Sequence, residues 1–212
     1  MGTEPDLANR RPLKSRGTSW ASAATRLLLK TRISANQVSG IGVVISLLGA
    51  WAFVEAPYRP WLYLAGALAI QLRLLCNMLD GLVAVEGGRK SAYGPLYNEV
   101  PDRIEDSVFL AAFGYAAGLL WLGLTAALLA AITAYVRALG GTFGLPQDFR
   151  GPMAKPHRMA ALTLGSIAAF VEALWQGTHW ALVVTLALIT AGTAFTIVRR
   201  VLGIARQLKA AA

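Results

Sequence analysis

Long apolar runs are the sequence feature that most restricts how this chain can fold. A helix needs about 20 mostly apolar residues to cross the hydrocarbon core of a bilayer, which is about 30 Å thick. Six segments come close to that length and composition, namely 37–54, 60–84, 95–118, 121–138, 159–174 and 179–198. The sequence therefore predicts an all-α integral membrane protein with six transmembrane helices.

The composition supports a membrane protein and argues against a nucleic-acid-binding one. Only 15% of the residues are charged, whereas 56% are hydrophobic and the formal net charge is +9. A basic chain is often a nucleic-acid-binding protein, but here the basic residues stand at the ends of the apolar runs. We therefore expect them to contact anionic lipids, and we expect no nucleic acid as a partner.

The residues before the first apolar run divide into two segments. Residues 1–17 are basic and contain two prolines, which predicts a flexible tail. Residues 18–36 alternate apolar and basic positions at helical spacing, which is typical of a juxtamembrane amphipathic helix lying in the membrane interface. An ordinary packing helix is the alternative for this segment. Residues 37–212 then form the six-helix membrane domain.

The distribution of Lys and Arg predicts the orientation. Basic residues are concentrated in the N-terminal segments, in 86–92, in 137–158 and after the last span, whereas the opposite connections contain only Arg59. Because cytoplasmic loops are enriched in Lys and Arg, we expect a multi-pass protein of the cell membrane with both termini in the cytoplasm.

Polar residues in the second and third segments indicate a functional site. Ionisable side chains at membrane depth are costly and usually mark such sites. They recur on one helical face of each segment as Arg73, Asn77 and Asp80, and as Asn98, Asp102 and Asp106. We expect the two stripes to face each other, and their oxygen atoms suit a hard divalent cation. A polar network that only holds helices together is the alternative.

Arg73 and Asp106 form the deeper part of these stripes. Given the rise of a helix, Arg73 lies about 10 Å deeper in the membrane than Asp80, and Asp106 about 12 Å deeper than Asn98. Each is also an isolated charge unless the two meet. The sequence therefore predicts a structural Arg73–Asp106 ion pair beneath the metal site.

The stretch from Asn77 to Asp102 resembles the signature of the CDP-alcohol phosphatidyltransferase family, D-x2-D-G-x2-A-R-x8-G-x3-D-x3-D. The spacing agrees throughout, and the residue types agree at Asp80, Gly81, Ala84, Gly94 and Asp102. The chain departs from the signature at the first aspartate, the arginine and the third aspartate, where it has Asn77, Val85 and Asn98.

The resemblance implies transfer of a phosphatidyl or substituted phosphoryl group to a hydroxyl acceptor, with release of CMP, in phospholipid biosynthesis. The donor is a CDP-alcohol such as CDP-diacylglycerol, and Mg²⁺ or Mn²⁺ is the cofactor. The implied metal ligands are Asp80, Asp102, Asn77 and Asn98, the implied base is Asp102, and Gly81, Ala84 and Gly94 make room for the nucleotide. With two carboxylates in place of four, we expect one metal, a weaker pair, or help from Glu99 or Asp106.

Several alternatives stay open at this point. The basic residues Arg150, Lys155 and Arg158 resemble a region that binds phosphorylated acceptors in the family, but they equally fit ordinary flanking charge. A family member that lacks transferase activity and binds a lipid or a nucleotide is the alternative function. The sequence also leaves open the acceptor and the oligomeric state, with a homodimer among the alternatives.

Overall fold

The computed structural model of the chain describes residues 33–86, 93–175 and 177–211, together with residues 23, 25–27, 30 and 31. The predicted tail at 1–17 lies outside the described residues, and so does most of the predicted interfacial helix at 18–36. The regular secondary structure of the described ranges that start at residue 33 is entirely helical.

Six long helices follow one another in these ranges. They are α1 (Ala35–Glu55), α2 (Leu62–Glu86), α3 (Gly94–Ala116), α4 (Leu120–Thr142), α5 (Lys155–Trp175) and α6 (Trp180–Ala211). They correspond in order to the six predicted segments. The last helix continues well beyond the predicted end at residue 198, because the Arg, Gln, Leu, Lys and Ala residues that follow are good helix formers.

Local side-chain interactions fix where two of the helices begin. Ser34 and Gln37 form a capping box at α1, in which each side chain accepts a hydrogen bond from the other residue's backbone N–H, at 3.3 and 2.8 Å. The Glu172 carboxylate near the end of α5 accepts hydrogen bonds from the N–H groups of Trp180 and Ala181, at 2.9 and 2.7 Å. These bonds satisfy free N–H groups in the first turn of α6.

Five of the helices, α1, α2, α4, α5 and α6, are long and apolar enough to cross a membrane. The chain is therefore a multi-pass membrane protein. Among the described residues α3 does not meet the same criterion, because it carries a run of charged residues. Those at positions 102, 105 and 106 are buried, whereas Leu96, Val100 and Ile104 on the opposite face are exposed. The prediction of six spans is thus confirmed for five helices by length and composition.

The helices pack through small and aromatic residues. α1 packs on α2 and α3, α3 on α4, α4 on α6, and α5 on both α2 and α6. The α3–α4 contact is so close that a Cβ added to Gly114 would lie 2.6 Å from the Cα of Gly123. Between α1 and α3, the ring of Phe53 stands edge-on to that of Phe113 with centroids 5.3 Å apart. Close packing of small residues is usual between membrane helices, and here it fixes the position of α3 and its charged face.

Candidate functional site

A buried group of charged and polar side chains lies where α1, α2, α3 and α5 meet, and we call it the polar cluster. It contains four carboxylates and three cations, in addition to two uncharged polar residues. The members are Ser39 from α1, Arg73, Asn77 and Asp80 from α2, Asp102, Glu105 and Asp106 from α3, and Lys155 and Arg158 from α5. Because the four negative and three positive charges nearly balance, these side chains can stay charged away from bulk water.

The facing of the α2 and α3 stripes is confirmed by direct contacts at Asp102. Arg73 donates a hydrogen bond to its Oδ1 atom, and the Asn77 amide nitrogen donates to the same oxygen at 2.9 Å. The Lys155 ammonium lies 2.7 Å from Oδ2, and Arg103 donates to Oδ2 at 3.3 Å. A carboxylate has about four lone-pair sites, so the hydrogen-bonding capacity of Asp102 is filled.

Arg73 and Asp106 do not make the predicted direct contact, because each has other ion-pair partners, although their charges still act on each other. The Arg73 guanidinium binds Asp102 and Glu105. Asp106 instead lies 3.3 Å from Nη2 of Arg158 and 3.4 Å from Nζ of Lys155. The prediction compared depths along α2 and α3 alone, whereas the first turn of α5 brings two cations to Asp106 from the side.

Asp80 has a different environment from Asp102. The Ser39 hydroxyl donates a hydrogen bond of 2.7 Å to its Oδ2 atom. Asp80 also lines a small cavity between α1, α2 and α3 together with Ser39, Asn77, Asp102 and Glu105. Its partner is thus a neutral hydroxyl rather than a cation. Ser39 was missed in the sequence, where a lone serine in an apolar segment carries no signal.

The remaining motif residues are only partly described. Gly81 and Ala84 follow Asp80 on α2, and both are partly exposed. Gly94 is the first residue of α3. The side chains of Val85 and Asn98 lie outside the described part of the chain, so the placement of Asn98 as a metal ligand stays a prediction.

The residues fit one divalent cation better than two. Within the described ranges, no group of three or more His, Cys, Asp or Glu side chains is arranged to hold a metal ion. Asp102 is already neutralised by Arg73 and Lys155. Asp80 keeps a carboxylate with only a neutral partner at a polar cavity, where the amide of Asn77 also lies. A hard cation prefers such oxygen ligands, so the Asp80 side of the cluster fits one cation and the Asp102 side does not fit another.

Glu99 lies away from these groups. Its carboxylate accepts two hydrogen bonds from Arg137 on α4, at 2.6 and 2.7 Å, and is partly exposed. Of the two acids that the sequence offered as additional ligands, Asp106 thus joins the polar cluster, whereas Glu99 pairs with a neighbouring helix.

The three basic residues predicted to bind an acceptor phosphate are separated in the structure. Lys155 and Arg158 are buried in the polar cluster, whereas the Arg150 side chain is 72% exposed in the α4–α5 connection. There it binds Asp148 at 3.0 Å. Partial burial raises the pKa of Asp148, but the hydrogen bonds from Arg150 outweigh it and hold that pKa below its ordinary value.

Arg200 anchors this connection to the bundle. Its guanidinium donates to the backbone carbonyl oxygens of Thr133, at 2.8 Å, and of Arg150, at 3.0 Å. The backbone next to Arg150 is therefore fixed, although its side chain faces outward.

Comparison with known proteins identifies relatives of one class. No family model matches the chain. It is 23% identical over 188 residues to a phosphatidylinositol phosphate synthase of Streptomyces avermitilis, covering 85% of this chain and 75% of the relative. It is 39% identical over 106 residues to an archaetidylinositol phosphate synthase of Aeropyrum pernix, covering 48% of this chain and 54% of the relative.

Solved structures share the fold. The phosphatidylinositol phosphate synthase of Mycobacterium tuberculosis in complex with manganese and citrate has a TM-score of 0.72 and 23% identity, over 86% of this chain and 87% of that one. The same enzyme with CDP-DAG bound has a TM-score of 0.70 and 24% identity, over 86% and 92% of the two chains. The chain therefore shares the helical fold of these structures. Together with the signature residues Asp80, Gly81, Ala84, Gly94 and Asp102, these relatives support the CDP-alcohol phosphatidyltransferase family for this chain.

Proposed function

We propose that this chain transfers a phosphatidyl or related substituted phosphoryl group from a CDP-linked lipid to a hydroxyl acceptor and releases CMP. The observation that carries the proposal is the position of Asp80 and Asp102, two signature carboxylates from different helices, at one buried polar cavity. The similar structure with CDP-DAG bound supports a CDP-linked lipid as the donor.

The reaction needs a base, and we assign this role to Asp102. The acceptor hydroxyl oxygen attacks the phosphorus that carries the lipid, and the bond from that phosphorus to the bridging oxygen breaks. CMP leaves with that oxygen and its electron pair, while the hydroxyl proton passes to Asp102. To accept it, Asp102 must release one donor. Lys155 is the suitable one, because its ammonium also has Asp106 within 3.4 Å.

A divalent cation, Mg²⁺ or Mn²⁺, is proposed on the Asp80 side, with the amides of Asn77 and Asn98 as further ligands. When bound, it supplies charge neutralisation of the pyrophosphate and of the leaving phosphate. The similar structure solved with manganese supports a divalent cation as the cofactor. Gly81, Ala84 and Gly94 are proposed to leave room for the nucleotide.

The proposed roles of the basic residues differ from the first expectation. Lys155 and Arg158 would bind an acceptor phosphate only by giving up Asp106, and a buried unpaired carboxylate is costly. We assign them to the positioning of Asp102 and Asp106. Arg150 is the exposed member of the three and is paired with Asp148, so we propose that its outward side chain is the one that meets a charged acceptor from the cytoplasm.

The membrane placement follows the charge distribution. We propose that α3 also crosses the membrane, because its charged face is buried in the bundle and Leu96, Val100 and Ile104 form an apolar outer face. Six spans then place both termini in the cytoplasm, with Lys and Arg at that surface near anionic lipids.

The test is CMP release by the purified protein in lipid nanodiscs containing CDP-diacylglycerol, with Mg²⁺ or Mn²⁺. A panel of acceptors that includes inositol, inositol phosphate, glycerol phosphate and serine identifies the acceptor. We expect acceptor-dependent release that Asp80→Asn abolishes. Asp148→Asn, which removes a carboxylate outside the polar cluster, is the matched control and should retain activity.

A second function has one specific observation in its favour. Both oxygens of Asp102 are occupied by protein donors, as in a carboxylate whose role is structural. A folded protein that binds CDP-diacylglycerol but releases no CMP with any acceptor would be a lipid- or nucleotide-binding protein instead.

A further inference from the structure

Arg73 is the one α2 member of the polar cluster that lies outside the family signature. It lies within the membrane helix α2, four residues before the signature begins, and its side chain is 1% exposed. An arginine at such a position is costly unless it is compensated. Asp102 and Glu105 provide that compensation.

One nitrogen of the Arg73 guanidinium is left without a partner. Nε and Nη2 donate to Glu105 and Asp102, whereas the buried Nη1 has no hydrogen-bond partner among the described residues. Arg73 lines the same cavity as Asp80. A buried N–H donor without a partner carries a desolvation cost, and an anionic oxygen entering the cavity would remove it.

The residue types at the signature positions are compatible with a permanent positive charge, that of Arg73, in this cavity. Asparagines at 77 and 98 remove two carboxylate charges, and Val85 removes a positive one. Arg73 adds a positive charge beside Asp102. The result is a carboxylate pair, Asp102 and Glu105, whose two negative charges are balanced by the Arg73 guanidinium together with the Lys155 ammonium, so the pair has little charge left to attract a divalent ion.

We propose that the Arg73 guanidinium acts as a built-in cation in this cavity, where it binds a phosphate oxygen of the nucleotide through Nη1 and keeps a second divalent cation away from Asp102 and Glu105. The nucleotide part of the proposal rests on the proposed function, whereas the metal part does not. The bound cation is then limited to the Asp80 side. Arginine suits this role because its charge is permanent and its planar group holds several acceptors at once.

Metal counting tests the proposal without any need for catalysis. Mn²⁺ titration followed by electron paramagnetic resonance gives the number of ions bound per chain. We expect at most one for the unmodified protein, and one more for Arg73→Met than for the unmodified protein, because the change exposes two carboxylates to the cavity. Arg137→Met, which removes another helix arginine paired with a glutamate, is the control and should not change the count.

Nucleotide binding provides the second readout. With Mg²⁺ present, calorimetric titration of CDP should show at least tenfold weaker binding to Arg73→Met. Arg73→Lys, which keeps the charge, should show a smaller loss and no additional Mn²⁺. If Arg73→Met does not fold, the count for the unmodified protein and for Arg73→Lys still decides the matter.

Two Mn²⁺ ions on the unmodified protein would overturn the proposal, and so would a folded Arg73→Met variant with an unchanged count and unchanged CDP affinity. The outcome is separable from that of the proposed function. Absence of CMP release together with a gain of one Mn²⁺ in Arg73→Met would refute the transferase and retain the role of Arg73 as a substitute cation.

Discussion

Replacement of Lys155 by methionine tests the charge network at its most connected point. The Lys155 side chain is 2% exposed, and its ammonium lies 2.7 Å from Asp102 and 3.4 Å from Asp106. Its removal leaves two buried carboxylates with fewer cations. Loss of one partner from a buried ion pair costs about 3–5 kcal/mol. Because Arg158 remains 3.3 Å from Asp106, we expect a loss of unfolding free energy near the lower value, about 3 kcal/mol.

The assay is reversible unfolding in mixed micelles, followed by helical circular dichroism. A double-mutant cycle with Asp106→Asn should give a coupling energy of about 1–3 kcal/mol for Lys155 and Asp106, as for other residues in one network. Arg150→Met is the control, because the Arg150 side chain is 72% exposed and ion pairs of exposed side chains contribute about 1 kcal/mol or less. A Lys155→Met variant as stable as Arg150→Met, or a coupling near zero, would refute the network.

Two further predictions concern packing and the cofactor. Gly114→Ala should destabilise the protein by about 1–3 kcal/mol in the same unfolding assay, since its Cβ would lie 2.6 Å from Gly123 Cα. Gly141→Ala, where a Cβ meets nothing within 4 Å, should be neutral or slightly stabilising, and equal effects at both sites would contradict the close α3–α4 contact. Removal of divalent cations with EDTA should abolish CMP release, and Mg²⁺ or Mn²⁺ should restore it; release that survives the chelator would argue against a metal on the Asp80 side.

The membrane fold was accessible from the sequence because run length and charge distribution are local properties. The six helices appear in the predicted order, and the facing of α2 and α3 follows from residues spaced three or four apart. In α3, by contrast, charged residues interrupt the apolar run. Three of its charges, Asp102, Glu105 and Asp106, lie on the face that is buried in the bundle, so composition alone does not identify it as a span.

The pairing within the polar cluster was not accessible, because it depends on lateral positions. Lys155 has the sequence context of an ordinary flanking cation, and only the packing of α5 against α2 brings it to Asp102 and Asp106. Depth along two helices suggested Asp106 for Arg73, whereas its direct partners are Asp102, about one turn nearer the start of α3, and Glu105, the residue just before Asp106. A serine such as Ser39 becomes recognisable as a partner of Asp80 only in the folded chain.

Asp102→Asn provides the most direct test of the central claim, that the polar cluster catalyses phosphatidyl transfer. The measurement is the rate of CMP release from CDP-diacylglycerol at saturating acceptor and cation, compared with the unmodified protein and with Asp148→Asn. Loss of a general base lowers a rate by roughly 10²–10⁴-fold, and we predict a fall in that range for Asp102→Asn and none for Asp148→Asn. An Asp102→Asn enzyme with the unmodified rate would contradict the assignment of Asp102 as the base.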